Sequence, residues 1–261
     1  MRKAMKLATI AAVSLAVSVG FIFLFARKTP AQGADLHVMV SDGMKPAVEE
    51  LVPQIEHSIG RKLVITFGSS KGLIAKIQSG EPFDVAIFVS ASLDDLIQQG
   101  KVAPDTRTEI ARTGMGVGVR AGAAKPDIST PEALKQTLLK AKSITFNPSG
   151  ASSGPLNDVV TRLGIADAVK PKYILDAEPG RPQMNVADGK AELVITLIPE
   201  IKFFQGVELV GPLPGDLQSY ITFAAGAATN SHDVDADKAL IKFLKGPIAA
   251  AALKSKALEP R

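Results

Sequence analysis

Short apolar runs alternate with segments of helical periodicity along most of this 261-residue chain. Runs at 36–40, 63–67 and 85–89 are each followed by a turn of small or polar residues, and then by apolar side chains spaced three or four residues apart. A run of this length suits a buried strand, and the spacing after it is that of an amphipathic helix. The pattern therefore predicts an α/β fold, with a largely parallel sheet covered by helices.

The alternation falls into two blocks, because a second set of strand-like runs lies at 143–146, 172–175 and 193–197. Extended segments at 114–120 and 219–226 are predicted to cross between the blocks. Two lobes joined in this way form a hinge over a cleft, which suits closure around a small ligand. The predicted boundaries are 1–34 for an N-terminal export segment, 35–113 plus 223–261 for lobe I, and 114–222 for lobe II.

The N-terminus has the plan of an export signal. Residues 1–6 are basic, residues 7–25 are uncharged and mostly apolar, and small residues follow at 29–34. We expect cleavage after Ala31 or Ala34, and a periplasmic location. The apolar run is also long enough to span a bilayer, so an uncleaved inner-membrane anchor through residues 7–25 is the alternative.

Composition excludes several classes of function. Removing residues 1–34 removes five of the 30 Lys and Arg residues and no Asp or Glu, which leaves 25 basic against 26 acidic side chains. A nucleic-acid surface needs a clustered basic excess, so none is expected. The chain has no cysteine, so it has neither disulfides nor thiolate metal sites. No cofactor or metal is predicted.

The turn after the second strand is a candidate anion site. Residues 68–70 read Gly-Ser-Ser and precede apolar residues at helical spacing, so the turn lies where a helix begins. Helix N-termini carry unpaired N–H groups and partial positive charge, which together favour bound anions. The alternative interpretation is that Ser70 simply caps the helix.

Other turns share this character, and ligands in such sheets bind beyond the carboxyl ends of the strands. Hydroxyls or accessible N–H groups from both lobes would then converge on one small anion. The predicted ligand-binding residues are Ser41, Asp42, Gly43, Ser69, Ser70, Ser152, Ser153, Gly180, Arg181 and Thr196.

Several segments resemble the periplasmic substrate-binding proteins of ABC importers, most closely the molybdate-binding family. The matching segments are 66–73 (TFGSSKGL), 82–87 (PFDVAI), 147–148 (NP), 177–181 (AEPGR) and 243–247 (FLKGP). The resemblance implies a type II periplasmic binding fold that holds molybdate or tungstate through serine hydroxyls and backbone N–H groups. It also implies a non-enzymatic monomer that delivers its ligand to a membrane permease.

Carried over by position, Ser70 matches a serine ligand of that family, and Ser153 and Gly180 match backbone N–H donors. Two positions depart from the pattern, because Gly43 stands where the family has a serine and Thr196 where it has a tyrosine.

These departures leave the ligand open. Asp42 could accept a hydrogen bond from a protonated oxyanion, or it could turn away and cap the first helix, which is the interpretation we favour. Molybdate is the leading single ligand. A carboxylate or phosphonate paired with Lys71 and Arg181 is the alternative, although both side chains could also be ordinary solvated residues at helix starts.

A serine hydrolase is the second alternative, because residues 150–154 fit the G-x-S-x-G pattern and His232 lies downstream. The serine of that motif should follow a strand directly, whereas 147–150 intervene here, so this alternative is disfavoured.

Overall fold

The structure is a computed structural model that describes residues 34–261. The predicted export signal, and the alternative anchor through residues 7–25, lie outside the described residues. Within the part that the structure describes, no helix has the length and apolar character needed to cross a membrane.

Ten strands form one continuous sheet. They are β1 Leu36–Ser41, β2 Leu63–Gly68, β3 Val85–Val89, β4 Thr108–Arg120, β5 Ile144–Phe146, β6 Tyr173–Leu175, β7 Leu193–Leu197, β8 Val207–Pro212, β9 Tyr220–Ala227 and β10 Glu259–Pro260.

The helices cover the sheet in the predicted alternation, and the α/β class is confirmed. They are α1 Lys45–Ile59, α2 Ser70–Gln78, α3 Ser90–Gln98, α4 Pro131–Lys140, α5 Ser153–Arg162, α6 Ala166–Val169, α7 Arg181–Ala187, α8 Ile198–Lys202, α9 Val234–Leu244 and α10 Pro247–Ser255. Local signals explain several ends: Thr130 accepts a hydrogen bond from the Ala133 N–H at the start of α4. At the other end of α1, Gly60 adopts a left-handed φ of 66°.

The strand order is β2-β1-β3-β9-β4-β7-β5-β6, with β8 and β10 paired to β4. Strands β1, β2 and β3 are mutually parallel, and so are β5, β6 and β7, as the alternation predicted. The centre of the sheet is antiparallel, because β9 pairs antiparallel with both β3 and β4, and β4 pairs antiparallel with β7 and β8. The sheet is therefore mixed rather than parallel throughout.

Strand β4 connects the two parallel groups. Its first part, Thr108 to Gly114, pairs with β9, and its last part, from Met115 onward, pairs with β7 and β8. The predicted crossing segment at 114–120 is thus the second half of a longer strand. The edge strand β8 was not anticipated, because no helix follows it and only its first residue, Val207, is fully buried.

Candidate functional site

On the side of β1 and β2, the serine cluster consists of Ser41, Ser69 and Ser70, of which Ser41 and Ser70 are hydrogen-bonded to each other. Ser69 is the N-cap of α2, and its Oγ accepts a hydrogen bond from the Gly72 N–H at 3.1 Å. Ser70 Oγ donates to Ser41 Oγ at 3.2 Å and accepts from the Val89 N–H at 3.1 Å. The alternative interpretation of Ser70 as the cap is therefore wrong. Its hydroxyl instead links the first residue of α2 to the last residues of β1 and β3 by hydrogen bonds.

On the opposite side, Thr196 stands near the end of β7 and is 4% exposed. Its Oγ1 lies 3.2 Å from Ser152 Oγ, and it donates a short hydrogen bond to the carboxyl of Glu200. Glu200 is the third residue of α8, which begins directly after β7, so the first turn of this helix directs the carboxyl back to the hydroxyl at the end of the strand. The result is a row of polar groups, Ser152, Thr196 and Glu200, facing the serine cluster.

Two acids line the same cleft, and burial perturbs both of them. Burial raises the pKa of Asp42 from 3.8 to about 6, and the nearby Lys45 charge opposes this rise. Burial likewise raises the pKa of Glu200 from 4.5 to about 7, while the Thr196 hydrogen bond lowers it and the Asp42 charge raises it. The two carboxyls therefore interact, and both can carry protons near neutral pH.

Asp42 is not a helix cap, so the interpretation that it turns away to cap α1 is wrong. The N-cap of α1 is Met44, which has no capping side chain, and Asp42 is the first residue of a single 3₁₀ turn before the helix. This turn holds Asp42 at the rim of the cleft, where it borders a small pocket and a larger neighbouring cavity.

The structure brings half of the predicted ligand-binding residues to this pocket. Its lining includes Ser41, Asp42, Ser69, Gly180 and Thr196. Ser70 and Ser152 stand behind them, because each hydrogen-bonds to a lining hydroxyl, Ser41 or Thr196.

Gly43 does not border the pocket, and the space around its Cα cannot hold a larger side chain that would bind a ligand. A Cβ at this position would lie 2.6 Å from Phe223 Cζ and 2.7 Å from Leu197 Cδ1. Both neighbours are fully buried, so neither can move aside easily. The glycine is needed for close packing between the first turn and β9.

Ser153 and Arg181 are also engaged elsewhere. The Ser153 N–H donates to the carbonyl of Gly150 at 3.2 Å, so the predicted backbone donor is already used within its own turn. The Arg181 side chain forms ion pairs with Asp176 at 3.6 Å and Glu178 at 3.3 Å. Neither residue lines the pocket.

Sequence reasoning missed six lining residues: Asn147, Gly150, Ala151, Pro182, Gln183 and Glu200. Glu200 could have been found from the sequence, because Pro199 just after the apolar run 193–197 indicates the first turn of a short helix, and Glu200 lies in that turn. No local signal distinguished Gln183, which reaches the cleft only because α7 packs there.

The serine hydrolase alternative finds no support in the geometry. Ser152 follows β5 by six residues and its hydroxyl lies against Thr196, not against a histidine. His232 lines a different cavity, together with His37 and Asp84. In residues 34–261, no group of three or more His, Asp or Glu side chains is arranged to hold a metal ion.

Comparison with known proteins identifies the family. The model of the family described as bacterial extracellular solute-binding protein matches residues 36–257. The chain belongs to this family. The solute-binding protein is 31% identical to an aconitate isomerase of a Pseudomonas species over an alignment of 231 residues that covers 86% of this chain and 87% of that protein. It is 29% identical to the molybdate-binding protein ModA of Azotobacter vinelandii over 235 residues, covering 86% and 90% of the two chains.

Solved structures agree on the fold. The periplasmic molybdate-binding protein of Azotobacter vinelandii superposes with a TM-score of 0.73 at 22% identity, covering 86% of this chain and 98% of that one. The predicted type II periplasmic binding fold is confirmed, and with it the resemblance to molybdate-binding proteins. The solute-binding protein therefore has the architecture of ABC-type binding proteins.

Proposed function

We propose that this solute-binding protein captures a small organic acid in its cleft and delivers it to an ABC permease. The observation that carries the proposal is the pair of carboxyls, Asp42 and Glu200, that border the same pocket as the serine and threonine hydroxyls. A fully ionised dianion such as molybdate would be repelled by two carboxylates. Molybdate has only acceptor oxygens, so it can bind only where both carboxyls are protonated. A hydroxy acid can accept a hydrogen bond from a protonated carboxyl through its carboxylate and can also donate one to an ionised carboxyl through its hydroxyl.

Molybdate or tungstate is the ligand that the family resemblance favours, and the similarity to ModA of Azotobacter vinelandii supports it. Against it stand the two acids and the packing at Gly43, which leaves no space for the family's serine. The organic acid is therefore the better match to the residues that this chain has.

A thermal-shift panel on the purified protein tests the ligand class. It comprises molybdate, tungstate, sulfate, phosphate, a phosphonate, and di- and tricarboxylates, each at pH 6 and pH 8. A ligand at one hundred times its Kd adds about 2.7 kcal/mol. For a chain of this size, that raises Tm by roughly 5–10 °C. Shifts with carboxylates alone support the proposal, and shifts with molybdate and tungstate alone refute it.

We further propose that the protein acts outside the inner membrane as a monomer that closes around its ligand. In this proposal, lobe I comprises 35–113 and 223–261, and lobe II comprises 114–222. The pairing of β4 with β9 in its first part, and with β7 and β8 in its second, supports a hinge near Met115.

A second candidate function is the isomerisation of an unsaturated polycarboxylic acid. Two observations favour it: a pair of carboxyls that titrate near neutrality, and the similarity to an aconitate isomerase. In such a reaction, a carboxylate removes a proton from a CH₂ next to a C=C–COO⁻ group, and the C–H electron pair forms the new double bond. The former double bond takes a proton at its far carbon from a carboxylic acid, so the step is redox-neutral.

Proton NMR in D₂O with aconitate tests this candidate. An isomerase interconverts the cis and trans isomers and replaces the CH₂ protons by deuterium. Glu200→Gln should abolish the exchange while Asp158→Asn, an exposed control on α5, leaves it unchanged. Wild-type protein that binds aconitate without exchange is a binding protein only.

A further inference from the structure

The pocket beside the serine cluster is too small for a whole organic acid. It has a free volume of about 30 Å³, enough for one small group such as a carboxylate oxygen or a water. A second cavity of about 550 Å³, here called the antechamber, opens next to it. Four residues line both spaces: Asp42, Gly180, Gln183 and Glu200. A ligand whose head lies in the small pocket must extend into the antechamber.

Gln183 is an unsatisfied polar group at this junction. The residue is 5% exposed, and its Oε1 is buried without a hydrogen-bond partner among residues 34–261. A buried polar atom left without a partner destabilises the protein, and a ligand that completes the hydrogen bond would remove this penalty. The amide can accept from a carboxylic acid or hydroxyl through Oε1, or, rotated by 180°, donate to a carboxylate through Nε2.

The other walls of the antechamber combine apolar surface with cationic groups. Met184 and Phe203 line it and are 39% and 40% exposed, which is unusual for large apolar side chains. Lys45 and Lys256 also line it, and so does Glu49. The Lys256 Nζ lies 4.9 Å from the Phe203 ring centroid and 2.7 Å from the Glu50 carboxylate. The Lys45 Nζ lies 3.8 Å from the Glu49 carboxylate, so an anionic ligand group would share these lysines with the two glutamates. A carbon chain that ends in an anionic group suits such walls, because its methylene groups meet apolar surface and its charge meets a lysine.

We propose that the antechamber is a second ligand subsite, which takes the carbon chain and second carboxyl group of a di- or tricarboxylic acid, with Gln183 as its specificity-determining residue. The inference rests on the proposed function, since it assumes a carboxylate in the small pocket. A compact tetrahedral oxyanion does not reach this subsite. Ligand length, rather than charge alone, then determines affinity.

Calorimetric titration of wild-type protein, Gln183→Met and Gln98→Met tests the proposal with acetate, succinate, citrate and molybdate. Methionine keeps the length of the side chain and removes the amide, and Gln98 is an exposed control on α3. Wild-type affinity should rise at least tenfold from acetate to succinate or citrate. Gln183→Met should lose most of this rise when its succinate and citrate affinities are each divided by its own acetate affinity, and Gln98→Met should behave as wild type.

A second pair keeps the test decisive if Gln183→Met fails to fold, as judged by circular dichroism. Lys256→Met removes a cation from the antechamber, and Lys254→Met, two residues away on α10 and exposed, is its control. Only Lys256→Met should weaken succinate relative to acetate, by about threefold or more.

The outcomes separate the two proposals. Binding of molybdate with no carboxylate bound refutes the proposed function and this inference with it. This inference alone is overturned if the protein binds carboxylates and the affinity depends on chain length equally in wild type, Gln183→Met and Lys256→Met.

Discussion

Replacing Glu200 with glutamine should change how the stability of the protein depends on pH. Burial raises the pKa of the Glu200 carboxyl from 4.5 to about 7. Between these values the native protein binds more protons than the unfolded chain, so its free energy of unfolding falls as pH rises through this window. At about 1.4 kcal/mol per pKa unit, the loss reaches about 3 kcal/mol above pH 7.

The amide of Glu200→Gln cannot ionise, and its oxygen can still accept the hydrogen bond from Thr196. The variant should therefore match wild type near pH 4.5 and exceed it by about 3 kcal/mol at pH 8. Asp42 titrates in both proteins, so most of its contribution cancels in the difference.

Urea unfolding of both proteins at pH 4.5, 6, 7 and 8, without ligand, measures this difference. Asp158→Asn serves as the control, because Asp158 is exposed on α5 and its replacement removes a carboxylate without changing the cleft. A stability difference between Glu200→Gln and wild type that stays constant from pH 4.5 to 8 would refute the reasoning, since it would mean that the pKa of Glu200 is the same in the native and unfolded states.

Two further substitutions test the packing around the cleft. Gly43→Ser installs the family's serine. It should lower stability by about 1–3 kcal/mol, because its Cβ would press on Phe223 and Leu197, and it should not improve anion affinity. Thermal denaturation measures the loss of stability, and the ligand panel measures the affinity. Ser70→Ala should lower stability by about 1 kcal/mol, because it leaves the partly buried Val89 N–H without its acceptor, and it should weaken ligand binding. Ser153→Ala should do neither. Equal affinities in these two serine variants would contradict the assignment of Ser70.

The strand-to-helix junctions were predictable because their signals are local. The apolar run of β2, the Gly-Ser-Ser turn and the periodicity of α2 are contiguous, so Ser69 and Ser70 could be assigned to the end of a strand without tertiary information. The sequence could not show that Ser69 caps the helix while Ser70 bonds to the neighbouring strands, because that difference depends on a hydrogen bond from Ser70 to Ser41 and another from Val89 to Ser70. Strand β3, which carries Val89, reaches Ser70 only when the sheet forms.

The sequence by itself determined the α/β class, the two blocks of alternating strands and helices, and the turns from which an anion site could be built. These features follow from periodicity and turn chemistry, which act over a few residues. The tertiary structure decided which groups face the ligand. It buried Gly43 against Phe223, turned Asp42 toward the cleft, and brought Glu200 and Gln183 beside it from two short helices. Burial, and with it the pKa of each carboxyl, depends on neighbours distant in the chain, so it is a property of the packed molecule.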